Sequence, residues 1–114
     1  MTHKRDEFIG GIKFTRRGWP TALPELEASD MVVHALTGPN GTHCLLGWAR
    51  ALTTGYQVRF KIEEAIQKVI QARGFAGCIA DFNDQRGPFE AASVWNEAIT
   101  NLGYVEDTVI RPCP

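Results

Sequence analysis

Gly77-Cys78-Ile79-Ala80-Asp81-Phe82-Asn83-Asp84-Gln85-Arg86-Gly87-Pro88 lies between the two clearest helical patterns of this chain. An apolar approach leads into four polar side chains, Asn83 to Arg86, and Gly87-Pro88 then reads as a turn. The pattern predicts a polar joint at which one helix hands over to the next. Two roles compete for it. As structure, Asn83 or Asp84 bonds neighbouring backbone and shapes the approach to the last helix, while Asp81, Asp84 and Arg86 supply an ion pair within the loop. As recognition, Asp84 and Arg86 contact a partner beside exposed apolar groups such as Phe82 or Phe89.

Downstream, Pro88 to Leu102 is expected to be helical. Proline suits the first helical position, Glu90 favours the N-terminal end of the dipole, and Ala91, Val94, Trp95, Ala98, Ile99 and Leu102 share one face. Upstream, Lys61 to Arg73 carries Ile62, Ala65, Ile66, Val69 and Ile70 at helical spacing, with Glu64 and Lys68 as an i,i+4 pair. Gly74-Phe75 then predicts a left-handed glycine cap with the next apolar residue folded back onto the last turn. The same punctuation recurs at Gly18-Trp19 and Gly103-Tyr104, which gives all three aromatics a structural task.

The N-terminal half is less regular. Residues 3–17 read as a helix capped by Thr2, with Arg16 and Arg17 in its last turn; Gly10-Gly11 weakens that pattern, and a strand at Ile12–Arg16 competes. Thr21 to Gly41 is rich in turn signals, with Met31 to Leu36 as a short strand or a buried turn. Thr42 to Thr53 reads as a helix capped by Thr42, with Leu45, Trp48, Ala49 and Leu52 as its apolar stripe. Tyr56 to Lys61 alternates like a half-buried strand, able to pair with Met31–Leu36. The expected fold is mainly α: one domain, residues 1–114, of three or four helices with a short two-stranded β element. The alternative is α+β. Its core is expected to contain Leu45, Trp48, Leu52, Ile66, Val69, Ile70, Val94, Trp95 and Ile99.

Composition narrows the function. The net charge of −1 over 114 residues provides no general attraction to phosphate backbones, which argues against a nucleic-acid partner. Charge is nonetheless uneven: Lys4, Arg5, Lys13, Arg16 and Arg17 form either a solvated face or a patch for an acidic partner. Three cysteines, Cys44, Cys78 and Cys113, are an odd number at wide spacings, which is not the pattern of a secreted disulfide framework. Met1 to Glu7 lacks the apolar core of a signal peptide, and no apolar run reaches the ~20 residues of a membrane span. A cytoplasmic protein is expected.

Arg17-Gly18-Trp19, Cys44-Leu45-Leu46-Gly47 and Phe82-Asn83-Asp84 together resemble a domain-of-unknown-function family of small bacterial and phage proteins. Trp48 stands where that family usually carries alanine, and Gly87-Pro88 replaces its Gly-Arg-Thr cap. The resemblance implies a compact, mainly helical protein found in phage and mobile-element settings, and it carries no assigned activity.

Catalytic signatures are sparse. His43 beside Cys44, with Asn83 or Asp84 elsewhere, has the residue types of a Cys-His pair, yet neighbouring helical residues do not face each other. There is no Cys-x-x-Cys or His-x-x-x-His pair for a metal, no nucleophile elbow and no phosphate loop, so no cofactor is expected. The sequence therefore reads as a non-enzymatic interaction protein that binds a host protein, with Asp84, Arg86, Phe89, Arg16 and Arg17 as partner-binding residues. The alternative is a small hydrolase or nucleotide-binding protein with its polar site around His43, Asn83, Asp84 and Arg86.

Overall fold

The computed structural model describes residues 7–9, 12–14, 23–53 and 56–102. The fold is mainly α. A two-stranded antiparallel hairpin, β1 (Glu7–Ile9) with β2 (Ile12–Phe14), precedes three helices: α1 (Leu45–Ala51), α2 (Tyr56–Ala72) and α3 (Ile79–Leu102). Single turns of 3-10 helix at Ala28–Asp30 and Pro39–Gly41 punctuate the segment ahead of α1. The last helix is the hub, packing against α2, α1 and the Ala28–Asp30 turn.

The β element therefore exists, but not where the alternation placed it. The pairing Phe8↔Lys13 and Ile9↔Ile12 corrects the helix expected over residues 3–17. Gly-Gly is unfavourable inside a helix and is a hairpin signal between two short apolar runs, and that preference outweighs the helical spacing of Phe8 and Ile12. Tyr56 to Lys61 is helical rather than extended. Val58 lies one turn before Ile62, so it continues the stripe of Ile66, Val69 and Ile70, and all five are buried. Met31 to Leu36 forms no strand; Met31 and Thr37 each make one isolated bridge to His43.

α2 closes as its sequence predicts. Gly74 is left-handed at φ 87°; its N–H donates to the Gln71 carbonyl at 2.9 Å, and Phe75 N–H donates to Ile70 at 3.0 Å. This is the two-bond Schellman arrangement, with Phe75 folded back onto the core. The caps expected at Gly18-Trp19 and Gly103-Tyr104 lie outside the described residues.

The polar joint is itself helical, which corrects the loop expected there. α3 runs through Asn83 to Arg86 and bends at Gly87, whose φ 89° and ψ 175° interrupt the helix before Pro88 restarts it. Ile79, Phe82 and Asn83 point inward before the bend, and Ala91, Val94, Trp95, Ala98 and Ile99 do so after it. Phe82 is fully buried rather than exposed for recognition. It meets Phe75 edge to face at a centroid distance of 5.2 Å.

Every expected core residue is buried except Trp48, which is half-buried and packs on the core's edge. Leu23, Leu26 and Met31 from the irregular segment join that core. Trp95 and Asn96 hold the segment down. The Trp95 indole donates to the Pro24 carbonyl at 2.9 Å. The Asn96 side chain both accepts from Leu26 N–H at 2.8 Å and donates to Leu26 C=O at 2.9 Å. Among the described residues, no helix is long and apolar enough to cross a membrane.

Candidate functional site

Helical geometry sends the four joint residues in different directions. Asn83 points inward and is 1% exposed, the one buried polar side chain among the described residues. Its Oδ1 accepts the N–H of Leu45 at 3.1 Å, and its Nδ2 donates to the Val32 carbonyl at 2.9 Å. Leu45 is the first residue of α1, whose N–H has no partner within its own helix. Asn83 thus caps α1 from across the fold rather than bonding backbone beside itself, as its sequence context suggests.

Cys44 completes that cap, in place of Thr42. Its Sγ accepts the Gly47 N–H at 3.4 Å, while the Thr42 hydroxyl donates to the Pro39 carbonyl at 2.8 Å. Gly47 has no room for a side chain, because a Cβ there would collide with the Leu36 carbonyl oxygen. That carbonyl accepts from Cys44 N–H at 3.2 Å. The Cys-Leu-Leu-Gly run is therefore a docking point for the 31–43 segment.

Asp84, one residue on, reaches the same segment from outside. Its Oδ1 accepts the His34 backbone N–H at 2.7 Å, and its Oδ2 lies 3.3 Å from His34 Nδ1. His34 is in the left-handed region at φ 63°, a conformation that costs a non-glycine residue free energy and that these contacts help to hold. The backbone bond from His34 holds the Asp84 carboxyl below its ordinary range against the opposing effect of desolvation, with smaller help from Asn83 and the His34 ring. Sequence reasoning did not single out His34. Nothing in Val33-His34-Ala35 announces a contact 50 residues away.

Arg86 lies over the rings of Phe75 and Phe82, 5.2 and 5.5 Å from their centroids, and pairs with Glu90 at 3.4 Å. The ion pair expected among Asp81, Asp84 and Arg86 is replaced by these separate partnerships. His43 sits ahead of α1 rather than on it; its Nδ1 lies 3.2 Å from the Thr37 hydroxyl, and its ring meets Trp48 edge-on. Asn83 Nδ2 also donates to Asp84 Oδ1 at 3.3 Å, whereas Arg86 and His43 contact other partners. Cys44 is buried and Cys78 exposed, both free thiols. Among the described residues, no group of three His, Cys, Asp or Glu side chains converges to hold a metal.

Phe89 stands apart from this network. It is 80% exposed, the most exposed of the large apolar residues described, and it follows directly on the Gly87-Pro88 bend. The bend turns its ring away from the core and beside an open groove. One wall of that groove is Leu26 to Ser29, and the other is Phe89, Ala92, Ser93 and Asn96 on α3. Arg16 and Arg17 lie outside the described residues.

No family model matches the chain, and comparison with curated proteins and with solved structures returns no significant similarity.

Proposed function

We propose that this is a small non-enzymatic interaction protein of the cytoplasm, encoded by a phage or mobile element and acting by binding a host protein. The observation that carries the reading is Phe89. Burying a phenylalanine side chain stabilises a fold by roughly 1.5–3 kcal/mol, and here that surface is left in water beside a groove. Asp84 and Arg86 belong to the proposal as contacts read from the sequence; Asp84 braces His34, and Arg86 stacks on Phe75 and Phe82. Arg16 and Arg17 belong to the proposal as basic contacts read from the sequence. The resemblance of Arg17-Gly18-Trp19, Cys44 to Gly47 and Phe82 to Asp84 to a family of small bacterial and phage proteins supports the setting.

The hydrolase or nucleotide-binding alternative has less support, since Asn83, His43 and Arg86 are each engaged with different structural partners. Affinity capture from host lysate, with wild type and Phe89→Ser in parallel, separates the two. A stoichiometric partner lost on Phe89→Ser at unchanged melting temperature favours interaction. A co-purifying small molecule, with no Phe89-dependent protein, overturns it.

A further inference from the structure

We infer that the groove beside Phe89 takes a basic amphipathic segment of the partner protein, an apolar side chain seated in the groove and Lys or Arg residues flanking it. The inference rests on the interaction reading above and adds the chemistry of what is bound. Leu26 and Ala92 are both buried and provide an apolar floor, and Phe89 stands over it as a wall. Among the described residues Glu27 is the sole charged residue that lines the groove; the Arg73 guanidinium reaches its α3 wall at Ser93, 3.0 Å away, but is paired with Glu97. Glu25 and Glu27 are exposed and make no ion pair among the described residues. Two other acidic side chains of α3 are neutralised: Glu90 by Arg86 and Glu97 by Arg73 at 2.7 Å.

Glu27 on the wall of an unfilled apolar groove, with Glu25 two residues before it in the chain and neither ion-paired among the described residues, selects for an occupant that is positive and apolar together. The same carboxylates repel phosphate backbones and the anionic surface of a membrane, which leaves a protein segment as the occupant. Ser29 and Ser93 lie on opposite walls; the Ser93 hydroxyl accepts from Arg73 at 3.0 Å and keeps its proton to donate to the incoming backbone.

Fluorescence anisotropy tests this with a labelled amphipathic peptide of Lys and Leu, against a Glu and Leu peptide of the same apolar periodicity. The Lys/Leu peptide is expected to bind, more weakly as salt rises, and the Glu/Leu peptide not to bind. Phe89→Ser should weaken binding by about tenfold or more, as for a central aromatic anchor. The double variant Glu25→Gln, Glu27→Gln should weaken it severalfold and flatten the salt dependence at unchanged melting temperature. Equal binding of the two peptides, or indifference to Phe89→Ser, overturns the inference. So does a Phe89-dependent dimer in sedimentation velocity, because the occupant is then a second copy of this chain. The two readings also fail differently. A host partner captured through Phe89 but insensitive to the glutamate changes sinks only the charge argument, whereas no Phe89-dependent partner sinks the interaction reading itself.

Discussion

The side-chain oxygen of Asn83, on the first half of α3, accepts the backbone N–H of Leu45 at the start of α1, 38 residues away. The same amide donates to Val32, so one buried side chain ties a helix start, a helix interior and an irregular segment together. Asn83→Ala leaves a buried donor and a buried acceptor unpaired, and should cost about 2–4 kcal/mol. Asn83→Asp keeps the acceptor, loses the donor and buries a charge, so it should be at least as damaging. Urea denaturation of the two variants checks both.

Gly47 and Gly87 are needed for different reasons. A Cβ at Gly47 meets backbone, which cannot swing aside, so Gly47→Ala should cost roughly 2–3 kcal/mol and loosen the contact between α1 and Leu36. At Gly87 there is space, but the φ 89°, ψ 175° conformation is nearly exclusive to glycine, and Gly87→Ala should cost on the order of 1–3 kcal/mol. In the second variant the strain sits at the bend. Its amide exchange is therefore expected to rise around Arg86 and Phe89 and to stay unchanged in α1.

Asp84 predicts a specific pH response. Its carboxyl is held below the ordinary range, chiefly by the His34 N–H, so the folded state favours the charged form. That stabilisation is complete above the unfolded carboxylate's own range and disappears as pH falls through the lower, folded-state value. Asp84→Asn retains an acceptor for the His34 N–H but no charge. Melting temperatures of wild type and Asp84→Asn should therefore differ most at neutral pH and converge in strong acid.

The Leu26 backbone is held by both ends of the Asn96 amide. Asn96→Ala should cost about 1–3 kcal/mol, by leaving both the N–H and the C=O of Leu26 without their side-chain partner. Hydrogen exchange at the Leu26 amide should accelerate before that of α2.

Phe89→Ser removes an exposed ring that makes little use of the core. Folding stability should stay within about 0.5 kcal/mol of wild type in urea denaturation. A large loss would show that the ring has a structural role.

Helices carrying a long apolar stripe and a local cap were readable from the chain alone. Ile62 to Ile70 sets one face of α2, Gly74-Phe75 its end, and Val94, Trp95 and Ile99 the face of α3 that forms the core. Those signals are local, because a 3.6-residue period and a left-handed glycine act through neighbours a turn away. Where two local signals conflicted, one won on tertiary grounds. Tyr56 to Lys61 became helix because Val58 gains burial with Ile62.

The stretch from Gly77 to Pro88 divides along the same line. Its composition announced a polar joint with a Gly-Pro break, and the break is real. Only the folded structure decided that Asn83 faces Leu45, that Asp84 faces His34, that Phe82 is buried and that Phe89 is not. The physical reason is range. Chain spacing governs which side chains share a helical face, but which backbone group or groove that face meets depends on packing between segments 38 to 70 residues apart.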